Sequence, residues 1–115
     1  MKGDNGRLVN LDVLAQYVGP NTALQRRISQ KFLETARSTA HEMQQAALVG
    51  NYAQIGHLAH RFKPSALAMG ATRIGDLAAL LEHAANENCG EIVNEQLGYL
   101  VPMLAQLEWE ISVLQ

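Results

Sequence analysis

The sequence has one cysteine, few aromatic residues and no long apolar run, and each shortage removes a class of protein. A lone Cys89 cannot close an intramolecular disulfide, and a cysteine-based zinc site would need other ligand types; a reducing, cytoplasmic setting is expected. No apolar stretch approaches the roughly 20 residues that cross a bilayer, and the opening MKGDNG lacks the apolar segment of a signal peptide, so no direct membrane contact is expected. Period-2 alternation never persists, which leaves no strand signal. What remains is a chain of 115 residues, 48% apolar and 17% charged, enough for one core and one domain. Residues 1–7 read as a flexible leader and residues 8–115 as the domain.

A net charge of −2 argues against a nucleic-acid partner, because bulk attraction to phosphate is missing. The distribution is more telling than the sum. No acidic residue lies between Glu42 and Asp76, where Arg61, Lys63 and Arg73 stand, and after Arg73 there is no lysine or arginine at all. The middle of the chain is locally positive and its last third is acidic.

Helical spacing accounts for nearly everything else. LDVLAQYVG gives a short first helix ending near Gly19. A long second helix follows, with Pro20 at its start, Thr22 to Gln25 as a capping box, and an apolar side of Leu24, Ile28, Phe32, Thr35, Ala36, Met43 and Ala46. The third runs from about Tyr52 to Met69. The fourth runs from Ala71 to about Glu87, with Ile74, Leu77, Ala78, Leu81 and Ala85 on one face. After the linker NENCGE, the residues Val93, Leu97, Leu100, Leu104, Leu107, Ile111 and Leu114 alternate steps of four and three, the seam of a helix packed at a shallow angle. The expected fold is all-α: an antiparallel up-and-down four-helix bundle with a short additional N-terminal helix as a lid.

On a wheel at 100° per residue, Ile55, Leu58, Ala59, Phe62, Ala66 and Met69 form the core face of the third helix. From the centre of that face His60 lies about 140° away, Leu67 about 120°, Pro64 about 180° and His57 about 200°, so all four should meet solvent. Lys63, one turn after His60, can reach back along the same surface. A solvated face normally carries Glu, Lys or Gln. Here a proline and a leucine stand beside an outward histidine that has cations for neighbours and no acidic partner nearby in sequence. That combination suits docking of a protein with an anionic group. His57 and His60 could in principle share a metal, but metal sites in bundles form inside, with facing carboxylates, and these point out; no metal is expected. His41 and His83 read as surface residues, and Cys89 as an incidental linker residue.

The run AHRFKPSALAMGATRIGDLAALLE, Ala59 to Glu82, closely resembles the signature of histidine-containing phosphotransfer (HPt) domains of bacterial phosphorelays. The shared features are Ala-His, an apolar residue two after the histidine, lysine three after, small residues, Gly-Ala, and a leucine-rich helix reaching Leu-Glu. The likeness extends upstream through VLAQYVG, KFLETA and GNYAQIGHLAH. It implies that His60 is the phosphorylated residue, that Lys63 supports the phosphoryl group, and that Gly70 is the turn glycine. His57, Arg61, Pro64, Leu67 and Gly70 would form the partner-facing surface. One departure is Pro64, where the family usually has glycine; its ring crowds the His60 carbonyl and offers it no N–H, so a local bend or shift is expected.

The resemblance further implies a carrier without catalysis of its own. It would take phosphoryl from a receiver-domain aspartate and pass it to another, with receivers of a hybrid kinase and of a response regulator as partners. Mg²⁺ would come with the receiver, so no cofactor is expected here, and the carrier would be monomeric. The alternative is a helical interaction module whose His60 is never phosphorylated.

Overall fold

Asparagines and left-handed turns mark the helix boundaries. The side chains of Asn10, Asn21 and Asn51 each accept a backbone N–H of the following turn, from Asp12, Leu24 and Gln54 respectively, satisfying a donor that a helix start leaves bare. Three helix ends close in the same way. Gly50, Gly70 and Asn88 take positive φ, and the N–H of the next residue reaches back to a carbonyl of the last turn: Asn51 to Ala46, Ala71 to Ala66 and Cys89 to Ala84, at 2.8–2.9 Å.

The computed structural model describes residues 7–113. Among them lie five α-helices and no strand: α1 (Leu11–Val18), α2 (Thr22–Leu48), α3 (Tyr52–Ala68), α4 (Thr72–Asn86) and α5 (Gly90–Ser112). Helix α2 packs on α3 and α5, and α4 packs on the same two, so the four long helices close a ring; α1 lies against α2 and α3. No described helix is long and apolar enough to cross a membrane.

The closest pair is α3 and α4, and its register is simple. Ala71 lies midway in sequence between facing residues: Leu67 lies against Gly75, His60 bonds Glu82, and Asn86 lies against Gly56. These pairs are one, three and four helical turns either side of the Gly70 bend, as an antiparallel hairpin requires. Glycines make the approach close: a Cβ on Gly56 would stand 2.8 Å from the Asn86 side chain, and one on Gly75 2.7 Å from Leu67.

The expected core faces of α3, α4 and α5 are buried as far as residue 113; Leu114 lies outside the described residues, as do residues 1–6 of the leader. Helix α3 runs unbroken through Pro64. Helix α2 departs from its sequence reading. Its cap is Asn21, not Thr22, and the Gln25 amide bonds the Gly19 carbonyl at 2.8 Å instead of closing a box. Thr35 is exposed and Leu24 and Ile28 are half-buried, whereas Ser29, Leu33, Thr39 and Ala40 join Phe32, Ala36, Met43 and Ala46 inside. Cys89 is half-buried at the N-cap of α5 and packs on the core, so it is more than a linker residue.

Glu110, one of the acidic residues of the last third, is buried. Its carboxylate accepts the Leu8 N–H at 2.7 and 2.9 Å, the Val9 N–H at 3.1 Å and the Gln106 amide at 2.8 Å, so it straps residues 8 and 9 across the end of α5. Leu8 and Val9 are themselves buried by the strap, and Asn10 then covers Gly70. Glu110→Ala leaves two buried N–H groups without an acceptor, at about 1–3 kcal/mol each. Urea unfolding should show a loss on the order of 2 kcal/mol or more, and trypsin should cut after Arg7 faster than in the parent. Unchanged stability together with unchanged cleavage would mean that the strap is held by its apolar side chains alone.

Candidate functional site

His60 stands near the middle of α3 because the core stripe of that helix, Leu58, Ala59, Phe62 and Ala66, points the other way. Its side chain is 72% exposed, and it is held by one polar contact, Nδ1 to Oε2 of Glu82 at 2.8 Å. Glu82 is supplied by α4, three turns beyond the Gly70 bend, and is 27% exposed. No acidic residue stands near His60 in sequence, as read; its acidic partner, Glu82, is 22 residues away along the chain and adjacent in space. A single helix wheel cannot find it, because the contact depends on the register between two helices.

The hydrogen bond fixes the chemistry of the ring. A carboxylate only accepts, so Nδ1 carries the proton; in the neutral imidazole Nε2 then holds the free lone pair. Nε2 is the nitrogen farther from the anchoring contact, on a side chain that is largely open. The arrangement presents an oriented nitrogen nucleophile at a surface and places a carboxylate behind it to offset positive charge that develops on the ring.

Around it the structure exposes His57, Arg61, Pro64 and Leu67 and leaves Lys63 half-buried. Leu67 is 42% exposed, with its inner side resting on Gly75 of α4. Gly70 is a different case. It has φ +69°, and a Cβ there would lie 2.7 Å from the Asn10 carbonyl, so it turns the chain beneath the N-cap of α1. His41 and His83 are exposed, and among the described residues no three His, Cys, Asp or Glu side chains gather into a metal-binding group.

A model of the Hpt domain family matches residues 27–110, which hold α3, α4, His60 and Glu82 and most of α2 and α5. No curated protein and no solved structure matches the chain.

Proposed function

We propose a phosphoryl-relay role from one premise: the chain belongs to the Hpt domain family, whose members are phosphocarrier modules of two-component signalling. His60 accepts a phosphoryl group from a receiver aspartate and passes it to the aspartate of another receiver. The observation that carries this is the pairing of an exposed His60 with Glu82, which leaves Nε2 as the free nucleophile. The four long helices are read as an antiparallel up-and-down bundle over residues 8–115, with α1 as its lid.

In the forward step the Nε2 lone pair attacks phosphorus in line. The Nε2–P bond forms, the bond from phosphorus to the aspartyl oxygen breaks, and the aspartate leaves as a free carboxylate. The ring becomes a phosphoimidazolium whose Nδ1 proton stays against Glu82, so the new positive charge faces a carboxylate. Lys63, one turn along the same face, supports the phosphoryl oxygens. Transfer then depends on positioning and charge stabilisation, with Mg²⁺ and the remaining groups on the receiver. Running the step backwards onto another receiver completes the relay. The partners are receivers of a hybrid kinase and of a response regulator, met in the cytoplasm by a monomeric carrier. The direct experiment is incubation with a phosphorylated receiver followed by assay for acid-labile, base-stable label on the chain; absence of such label would leave the non-phosphorylated interaction module as the reading.

His57, Arg61, Pro64 and Leu67 form the surface on which a receiver docks, and Leu67 gives it an apolar centre. Full burial of such a side chain contributes roughly 1.5–3 kcal/mol. Leu67→Glu should lower labelling from a phosphorylated receiver tenfold or more, equivalent to about 1.4 kcal/mol, while labelling from a small phosphoramidate donor hardly changes. If both fall together, Leu67 supports α3 on α4 and has no role in docking.

A further inference from the structure

Helix α5 carries a second seam that the relay does not use. Its buried seam is Val93, Leu97, Leu100, Leu104, Leu107 and Ile111. On the outer side, Ile92, Tyr99 and Val113 fall on one seven-residue track, interrupted by Gln106, whose amide bonds Glu110, and Glu95, Pro102 and Trp109 fall on a second. Ile92, Tyr99, Trp109 and Val113 are 41%, 53%, 62% and 43% exposed, and Trp109 is the only tryptophan of the chain. Seven-residue recurrence of apolar side chains is the pattern of a helix lying lengthwise on another helix. Among the described residues, helices α2 and α4 cover the inner seam and no other helix packs along the outer one.

One edge of the outer face, beside Pro102 and Trp109, is bare backbone. Gly98 is exposed in the interior of α5, and a Cβ added there would meet no atom within 4 Å. Glycine is the poorest helix former after proline, and nothing among the described residues approaches closely enough to require it. Four residues on, Pro102 offers no N–H to the Gly98 carbonyl, so that acceptor lacks its usual helical donor. A smooth, acceptor-bearing strip beside Trp109 allows close approach of a second helix.

Charge selects the occupant. Glu91 and Glu95 are exposed along the first half of this face, and the chain has no lysine or arginine after Arg73. Two copies packed in parallel through this face would bring four such carboxylates together. Two packed antiparallel would set each pair against the Trp109 end of the other, where α5 again has no cation. A partner that brings its own cations therefore matches the face better than a second copy. We propose that the outer face of α5 docks an amphipathic helix of another protein, with apolar residues at seven-residue spacing and lysines or arginines that meet Glu91 and Glu95. Helices α3 and α5 each pack on α2 and α4, so their outer faces look away from one another. A receiver at His60 and a basic helix on α5 can therefore be held at the same time.

Trp109 provides the readout. The probe is a synthetic helix with leucine at heptad core positions and lysine elsewhere, titrated against the intact chain beside the same helix with glutamate for lysine. The lysine helix should shift Trp109 emission to the blue with saturation, and the glutamate helix should not. An Ile92→Glu, Tyr99→Glu double variant should weaken the complex tenfold or more and leave phosphoryl labelling of His60 unchanged. Gly98→Ala gives opposite signs in two assays: a higher melting temperature, because the added methyl has open space and favours the helix, and weaker binding, because that methyl stands where the partner must approach. Equal response to both helices, no response, or binding unaffected by the double variant and by Gly98→Ala would overturn the proposal. A blue shift with protein concentration alone, together with dimers in sedimentation, would assign the face to a second copy instead.

Discussion

His60→Gln is expected to remove phosphoryl labelling completely and to leave the folded chain almost as stable as before. The His60 side chain is 72% exposed and makes one polar contact, so the core loses nothing when it is replaced. Surface substitutions of this kind usually stay within about 0.5 kcal/mol. The glutamine amide can still donate to Glu82, which preserves the one local bond, but it has no nucleophilic ring nitrogen. The two readouts therefore separate: label from a phosphorylated receiver goes to background, and the thermal melt followed by circular dichroism hardly moves. His57→Ala, one turn earlier on the same helix, should label normally. Residual label on the His60 variant that disappears only in the His57 variant would transfer the role to His57.

The largest stability effect is expected two residues further on. Phe62 is 5% exposed and its ring stacks on Phe32 of α2, with centroids 5.6 Å apart and planes 6° from parallel. It is the main aromatic tie between the helix that presents His60 and the helix behind it. Phe62→Ala should cost about 3–5 kcal/mol by removing buried volume and leaving a cavity, with the lost ring pair accounting for roughly 0.5–1.5 kcal/mol of that beyond burial. A domain of this size commonly has only about 5–15 kcal/mol in total, so the urea midpoint should fall steeply. Labelling per folded molecule should fall too, since α3 loses its backing. A near-neutral midpoint would mean that the space collapses or that the ring pair is not formed.

Much of this was readable from spacing. The core faces of α3, α4 and α5 followed from apolar residues at steps of three and four, because those helices pack along single stripes. The outward placement of His60, Pro64, His57 and Leu67 followed from the same wheel. Helix α2 was harder. Its buried set includes Ser29 and Thr39, polar residues that no hydrophobic count selects, while the more apolar Leu24 and Ile28 lie half-buried. Asn21 has the side chain of a good cap, but the neighbouring Thr22 offered an equally plausible motif.

Two polar features were hidden for a different reason. Glu82 and Glu110 each act across the fold, on His60 from the next helix and on Leu8 and Val9 from the far end of the chain. Local pattern gives the face on which a residue lies, not what stands opposite. For Glu82 the sequence did hold a usable signal: Gly70 marks the bend, and the small residues Gly56 and Gly75 stand where α3 and α4 must close together. Counting outward equally from Ala71 brings His60 onto Glu82. For Glu110 no comparable signal exists, since its partners are backbone groups in a segment without periodicity.

The central claim is that His60 carries the phosphoryl group on Nε2, with Nδ1 held by Glu82. The most direct measurement is nitrogen-15 and phosphorus-31 NMR of the intact chain labelled from a phosphorylated receiver, with ring nitrogens assigned through His60→Gln. The account predicts one phosphohistidine, at residue 60, with phosphorus coupled to Nε2 and a proton retained on Nδ1. Phosphorus on Nδ1, or on His57, or no phosphohistidine despite a competent receiver, would contradict it.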